Sequence, residues 1–228
     1  MKLYPVNLNI AGRSCVVVGG GRVAARKLRA LLECRAEIKV ISPEICQEVK
    51  QMADGGELTL IHRKFRPGDL AGAMLCIAAT NCRTVQDAVR DEAARAGILL
   101  NSISGQDACN FQVPARLRRG SLLLTVSTGG GSPALSRAIR LQLEEQFGPE
   151  YDDYVRFLAL IREHLLAVRS GDDGLDCIFE NLIRRNYLTI LADKNWDRLE
   201  KKLLADLPAG ADPAVIIERF KVLSRQDS

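Results

Sequence analysis

Three consecutive glycines, Gly19-Gly20-Gly21, separate an apolar run, Cys15-Val16-Val17-Val18, from a segment whose apolar residues Val23, Leu28, Leu31 and Leu32 recur at helical spacing. A strand, a glycine turn and a helix in that order suit the binding of a pyrophosphate, a group that needs hydrogen-bond donors and tolerates no bulk. Gly19 lets the chain turn at once after the strand. Gly21 removes a side chain where backbone must meet the phosphates. Ala24 fills the third small position of a G-x-G-x-x-A pattern and lets helix pack close to strand. Arg22 and Val23 stand between them at the helix start, where unpaired N–H groups and the positive dipole end favour an anion. Gly19, Gly21, Arg22, Val23 and Ala24 are therefore the first candidate cofactor contacts. The bland alternative is a tight strand-to-helix turn with no nucleotide.

Further candidates stand at the ends of later strands. Glu37–Ile41 reads as a second strand ending at Ser42-Pro43, with Glu44 beyond. Many dinucleotide folds place an acidic residue here against the adenosine ribose. Ser42 and Pro43 are taken as contacts, with Glu44 as the other candidate. No arginine stands beside them to clamp a 2′-phosphate, so NAD is favoured over NADP. Met74–Ala79 is a buried strand ending at Thr80-Asn81, where ligands collect in parallel sheets. Thr80 and Asn81 are thus also cofactor candidates, although Asn81 equally suits the cap of a helix spanning Arg83–Ala96. The only histidines, His62 and His164, have no neighbours that suggest catalysis.

These residues need a scaffold, and the pattern supplies one. Glu57–Phe65 reads as a third strand and Ile98–Leu100 as a fifth, giving an α/β, Rossmann-like doubly wound parallel sheet to about Phe111. Residues 1–13 alternate apolar and polar, as a short strand or an extended lead-in. Pro114 marks a boundary. Ser121–Ser127 is another strand, and a second glycine turn leads to Ser132-Pro133, an N-cap and first helical residue. Leu135, Ile139, Leu143 and Phe147 form one helical face, ending at Gly148-Pro149. The rest reads as helices: one through Tyr154, Ile161 and Leu165, a linker at Gly171–Gly174, one through Ile178, Leu182 and Leu188, one through Trp196, Leu199 and Leu203, and a last one opened by Asp212-Pro213.

Composition narrows the classes. A net charge of +4 over 228 residues is no nucleic-acid signature. Seven cysteines without a C-x-x-C pair or a Cys/His cluster argue against a zinc site or a disulfide framework. No leader and no membrane-spanning run is read, so a cytoplasmic protein is expected.

Four ordered blocks, VVVGGGRVAARK, AATNCRTVQ, NSISGQDACNFQVPA and LLLTVSTGGGSPALSRAIR, resemble the precorrin-2 dehydrogenase family, which includes bifunctional sirohydrochlorin ferrochelatases and the N-terminal half of sirohaem synthase. The resemblance covers residues 1 to about 147. It implies an NAD-binding Rossmann domain over 1–113, a dimerisation and substrate segment over 114–147, and a small all-helical C-terminal domain over 148–228. It also implies a homodimer that oxidises precorrin-2 to sirohydrochlorin on the route to sirohaem, with ferrous-ion insertion as a second activity.

Precorrin-2 carries eight carboxylates, so its site should be basic. Arg116 and Arg119, with Arg118, Arg137 and Arg140 nearby, suit paired carboxylate contacts. Ser127, Thr128 and Gly129 of the second glycine turn match the family's hydroxyl-bearing turn. One departure stands out. Where the family carries an Asp three residues after the Asn that ends the fifth strand, this chain has Ser104. Ser104 is a poor base without help, and Asp107, three residues on, is the expected substitute; Cys109 is a further candidate. The departure weakens the ferrochelatase expectation and leaves a non-catalytic NAD- or tetrapyrrole-binding regulatory module as the alternative. The metal-binding residues are unassigned.

Overall fold

The computed structural model describes residues 3–103, 109–168, 175–185 and 187–226. It divides into two compact units, Met1–Val113 and Pro114–Ser228.

The first unit is built on β1 (Ser14–Val18). Cys15 and Val17 face one side of the sheet, Val16 and Val18 the other, and both sides are covered. This is why the strand reads as an unbroken apolar run. Around it stand β2 (Glu37–Ile41), β3 (Thr59–Ile61), β4 (Leu75–Ala78) and β5 (Leu99–Ser102), all parallel, in the order β3-β2-β1-β4-β5. α1 (Arg22–Leu32) and α2 (Gln47–Asp54) cover one face, and α3 (Arg83–Ala96) the other. The order reverses between β1 and β4, so a crevice opens there at the strands' carboxyl ends.

The expected third strand over 57–65 shrinks to three residues. After Ile61 the chain turns back, with Arg63 N–H donating to Ile61 O (2.9 Å). Of the alternating residues 1–13, the described 3–13 form no strand, and Tyr4 is 88% exposed. α2, which the sequence reading does not delimit, buries only Val49 and Met52. The outer edge of β5 is covered by residues 109–111. Asn110 there takes Leu100 N–H on Oδ1 (2.7 Å) and donates from Nδ2 to Ile98 O (3.1 Å), so its side chain stands in for a neighbouring strand.

No helix joins β3 to β4. Two carboxylates fold that connection instead. Asp69 accepts both Arg63 Nη groups and Arg66 N–H, each at 2.7 Å. Glu92 of α3 accepts Gly68 N–H (3.0 Å) and Leu70 N–H (2.9 Å), seating Leu70 in the core.

The second unit opens with an antiparallel ribbon, β6 (Ala115–Arg119) and β7 (Leu122–Val126). β6 is absent from the sequence reading, where its three arginines look like a charge cluster. α4 (Pro133–Gln146) follows, then α5 (Glu150–Val168), α6 (Leu175–Arg184), α7 (Tyr187–Ala192), α8 (Trp196–Asp206) and α9 (Pro213–Gln226). α5 and α7–α9 pack around Phe157, Tyr187, Leu199, Leu203 and Phe220. Leu188 belongs to α7, not to the helix of Ile178 and Leu182. The expected linker at 171–174 lies outside the described residues.

Hydrogen bonding from Arg63 holds the Asp69 carboxyl below its ordinary range. A depressed carboxylate pKa contributes stability that is complete above the unfolded value and fades as pH falls through the folded one. Replacing Asp69 with Ala should lower the melting temperature by about 2–5 °C at neutral pH, where a kcal/mol is worth a few degrees. The gap between variant and wild type should narrow below about pH 4. Thermal scans from neutral to acid pH check both.

Candidate functional site

The glycine turn is held by contacts that admit no side chain at two of its three positions. Gly19 has φ +115, and a Cβ there would lie 2.3 Å from Ala79 O at the end of β4. A Cβ on Gly20 would lie 2.5 Å from Glu44 O and 2.6 Å from Ile45 Cγ2, past the end of β2. Two backbone hydrogen bonds tie the same point: Gly19 N–H to Ile41 O (2.9 Å) and Cys46 N–H to Gly20 O (2.8 Å). Gly21 differs. A Cβ there meets nothing within 4 Å, and its φ of −82° suits any residue. Its missing side chain is therefore not required by the fold. It leaves space at the N-terminus of α1, where no side chain caps the helix and no acidic residue stands in the first turn. That is the opening a pyrophosphate would fill.

Ala24 is fully buried against the β1 face, as the third small position requires. Val23 is not: it is 38% exposed, and Ala25 takes the inward place beside Ala24. Arg22 is exposed at the first helical position. Ser42 is buried, and its hydroxyl donates to Glu44 O (2.5 Å), closing the turn after β2. Pro43 and Glu44 are exposed beside it.

At the end of β4, Thr80 Oγ1 accepts Cys82 N–H (3.2 Å), and Thr80 O accepts a hydrogen bond from Gln86 Nε2. The N-cap of α3 is Cys82, not Asn81; Asn81 is exposed one residue earlier and does not cap. Sequence reasoning missed Cys82. Its sulfur lies 3.2 Å from Thr84 Oγ1, and that contact, with helix-start N–H groups, lowers its pKa. Burial pushes Cys15 up to about 11 and Cys76 up to about 12, so neither is a ready nucleophile.

Ser104 and Asp107 lie outside the described residues. Cys109 is described, half-buried at the carboxyl end of β5: its sulfur accepts Ser102 N–H (3.0 Å) and donates to Ser102 O (3.4 Å). Among the described residues no cluster of His, Cys, Asp or Glu could hold a metal ion. A depression of about 480 Å³ lies at the opposite, amino-terminal ends of the strands, lined by Gly12, Arg13, Glu37, Gly72 and Met74. It is on the far side of the sheet from the glycine turn.

In the second unit several candidate substrate groups are engaged by the fold. Arg119 Nε donates to Phe147 O (3.0 Å), closing the C-terminal end of α4. Thr128 Oγ1 accepts Ser132 N–H (3.0 Å), donates to Ser132 O (3.1 Å) and lies 3.2 Å from Ser136 Oγ. Arg140 pairs with Glu144. Ser127 is exposed, its Oγ accepting Gly129 N–H (3.2 Å). Arg116 lies on β6 opposite Thr125. Ser132 caps α4 by accepting Leu135 N–H, with Pro133 at the first helical position.

A five-stranded parallel sheet whose order reverses at a glycine turn open at Gly21 defines a nicotinamide-dinucleotide-binding Rossmann domain followed by a second, mainly helical unit. The comparisons agree. Residues 6–115 match the model of a putative NAD(P)-binding family. A siroheme synthase from Nitrosomonas eutropha is 40% identical over 223 residues, 97% of this chain and 47% of that protein. One from Chromobacterium violaceum is 35% identical over 214 residues, 94% of this chain and 42% of that protein. The solved structure of SirC, a precorrin-2 dehydrogenase, is 25% identical with a TM-score of 0.72, and the match covers 96% of this chain and 99% of that one. The chain is thus similar to a precorrin-2 dehydrogenase over nearly its whole length, and it spans about half the length of the siroheme synthases it matches. No helix among the described residues is long and apolar enough to cross a membrane.

The three glycines separate fold from ligand. Gly19→Ala should destabilise the protein and lose dinucleotide binding together, because its Cβ overlaps Ala79. Gly21→Val should melt close to wild type yet bind NAD at least about tenfold more weakly, since only the ligand needs that space. Thermal scans beside calorimetric titration with NAD distinguish the two.

Proposed function

We propose that the chain oxidises precorrin-2 to sirohydrochlorin with NAD. The observation that carries this reading is the likeness to SirC across nearly the whole of both chains, combined with a turn at Gly21 open where a pyrophosphate would lie. Bound NAD would supply the hydride acceptor for this oxidation, which also releases one proton. The chain's own part is to hold the dinucleotide at Gly19–Ala24 and the ends of β2 and β4, to hold the substrate, and to receive the proton. Thr80 and Asn81 stand at the β4 end for the cofactor; Asp107, with Ser104, is our assignment for the proton. NAD is preferred over NADP because the exposed Glu44 carboxylate beyond β2 would repel a 2′-phosphate, while Ser42 is occupied in the turn.

Substrate carboxylates fall to Arg116, to Ser127 and to the Gly129 backbone. Arg119 and Thr128 act mainly by holding those groups in place, given the hydrogen bonds they already make. Ferrous ion is the proposed second substrate, inserted into sirohydrochlorin with Asp107 receiving pyrrole protons. The protein works in the cytoplasm as a homodimer joined through residues 114–147. Support for the dimer is the poor burial of that segment alone. Leu117 is the only buried residue of the ribbon and Ser136 the only one of α4, while Leu135 and Leu141 are 51% and 44% exposed. A two-stranded ribbon is marginal without a further layer.

Anaerobic incubation with precorrin-2 and NAD should give equal amounts of NADH and sirohydrochlorin, with NADP at least about tenfold slower. Binding of both ligands without turnover would instead favour the regulatory module. With ferrous ion and sirohydrochlorin, Asp107→Ala should slow chelation; an undiminished rate would remove Asp107 from that role. Sedimentation should show a dimer that Leu135→Asp with Leu141→Asp converts to monomer.

A further inference from the structure

The two flanks of α1 differ. Arg29 lies on one and is paired with Glu48 of α2. Successive helix residues turn by roughly 100°, so Val23 and Lys27, four apart, lie together on the other flank. That flank faces away from α2, toward the β5 end, where Cys109 is the electrostatic neighbour of Lys27. Lys27 is half-buried, and its ammonium makes no hydrogen bond or ion pair with any described residue. Burial first, then Arg26, lowers its pKa from the ordinary lysine value, with Cys109 acting weakly the other way. A lysine that is partly desolvated and has no partner among the described residues costs stability.

A phosphate of the dinucleotide is a poor partner. The pyrophosphate lies at the start of α1, whereas Lys27 is six residues beyond Gly21, about 9 Å along the axis. Lys27 stands one turn beyond the exposed Val23, on the same flank. Adenosine belongs on the β2 side of the turn, by Ser42. With adenosine on the β2 side, the nicotinamide would fall toward the β4–β5 side that the Lys27 flank faces, and the oxidised nicotinamide ring is itself a cation. The anion that fits there is carried by the other reactant.

We propose that Lys27, with Val23 above it, is a substrate-binding residue: its ammonium receives a carboxylate of the tetrapyrrole while Val23 meets the apolar ring edge. The assignment rests on the dehydrogenase reading of the glycine turn. It adds to the first unit a basic contact that is separate from the arginines of β6.

Uroporphyrin, a stable octacarboxylate tetrapyrrole, serves as the binding probe, followed by fluorescence, beside precorrin-2 turnover. Lys27→Met should weaken uroporphyrin binding and raise the KM for precorrin-2 by roughly tenfold, with kcat within about threefold and NAD affinity unchanged. Lys27→Arg should restore most of the loss, and the wild-type advantage over Lys27→Met should shrink with added salt. Methionine fits a half-buried site, so the variant should melt at or above wild type. Unchanged binding and KM in a folded Lys27→Met protein would overturn the proposal, as would a parallel loss of NAD affinity. Wild type that binds NAD but neither binds uroporphyrin nor turns over precorrin-2 would overturn the functional reading and this assignment with it. Wild-type turnover with an indifferent Lys27→Met would overturn this assignment alone.

Discussion

The structure depends on one steric constraint: three strand ends must meet around a backbone without side chains. β1 ends at Gly19, and Ala79 O at the end of β4 occupies the place where a Cβ would stand. One residue later Glu44 and Ile45, beyond β2, press against Gly20 in the same way. Close approach at Gly19 and Gly20 leaves Gly21 at the mouth of the turn, where the helix starts and space is open. The turn therefore does two things with one tripeptide. It locks the carboxyl ends of β1, β2 and β4 to one another, and it presents helix-start N–H groups at the point where the strand order reverses. A dinucleotide adds no strain to such a site, since the part it would occupy is the part the fold does not use.

Much of this unit was legible in the sequence because its signals are local. β1 and β4 are covered on both faces, so each appears as a run of apolar residues. α3 was delimited correctly because Gly97, in the left-handed conformation at φ 66, stops the helix that its apolar periodicity begins. Where tertiary context decides, the reading failed. Val23 fits the apolar period of α1 but sits on its open flank, because the two alanines are small enough to take the contact with the sheet. α2 hides because two buried side chains in eight residues make no visible stripe. Asn81 has the chemistry of a cap, yet the backbone enters α3 one residue later, and Cys82 takes that place. Lys27 was invisible for a different reason: in a stretch with Arg26 and Arg29, only the folded helix shows which cation is paired and which is not.

In the second unit, several polar residues that the sequence offers to a substrate already have partners in the fold. From sequence, the arginines of β6 and the hydroxyls of the second glycine turn all look available to a polyanion. In the fold, Arg119 serves a helix carbonyl, Arg140 a neighbouring glutamate, and the Thr128 hydroxyl the turn that starts α4. A hydroxyl has one proton and two lone pairs. Thr128 Oγ1 uses the proton on Ser132 O and one lone pair on Ser132 N–H, with Ser136 Oγ at the remaining position. Recruiting it to a ligand would mean giving up a hydrogen bond in the turn that leads into α4.

The same ribbon and helix are also poorly buried, with Leu117 and Ser136 their only buried residues. α4 presents Leu135 and Leu141 outward, and the ribbon has its own apolar face but only one buried side chain. Structure whose polar groups serve internal rigidity while apolar surface stays open would suit packing against another surface, as in the proposed dimer. Its rigidity then has a use: a preformed face loses little conformational entropy on association. In the proposed homodimer the turn at Thr128 and the exposed leucines of α4 would belong to one design, in which internal hydrogen bonds shape the segment and association would supply the burial that its own unit does not.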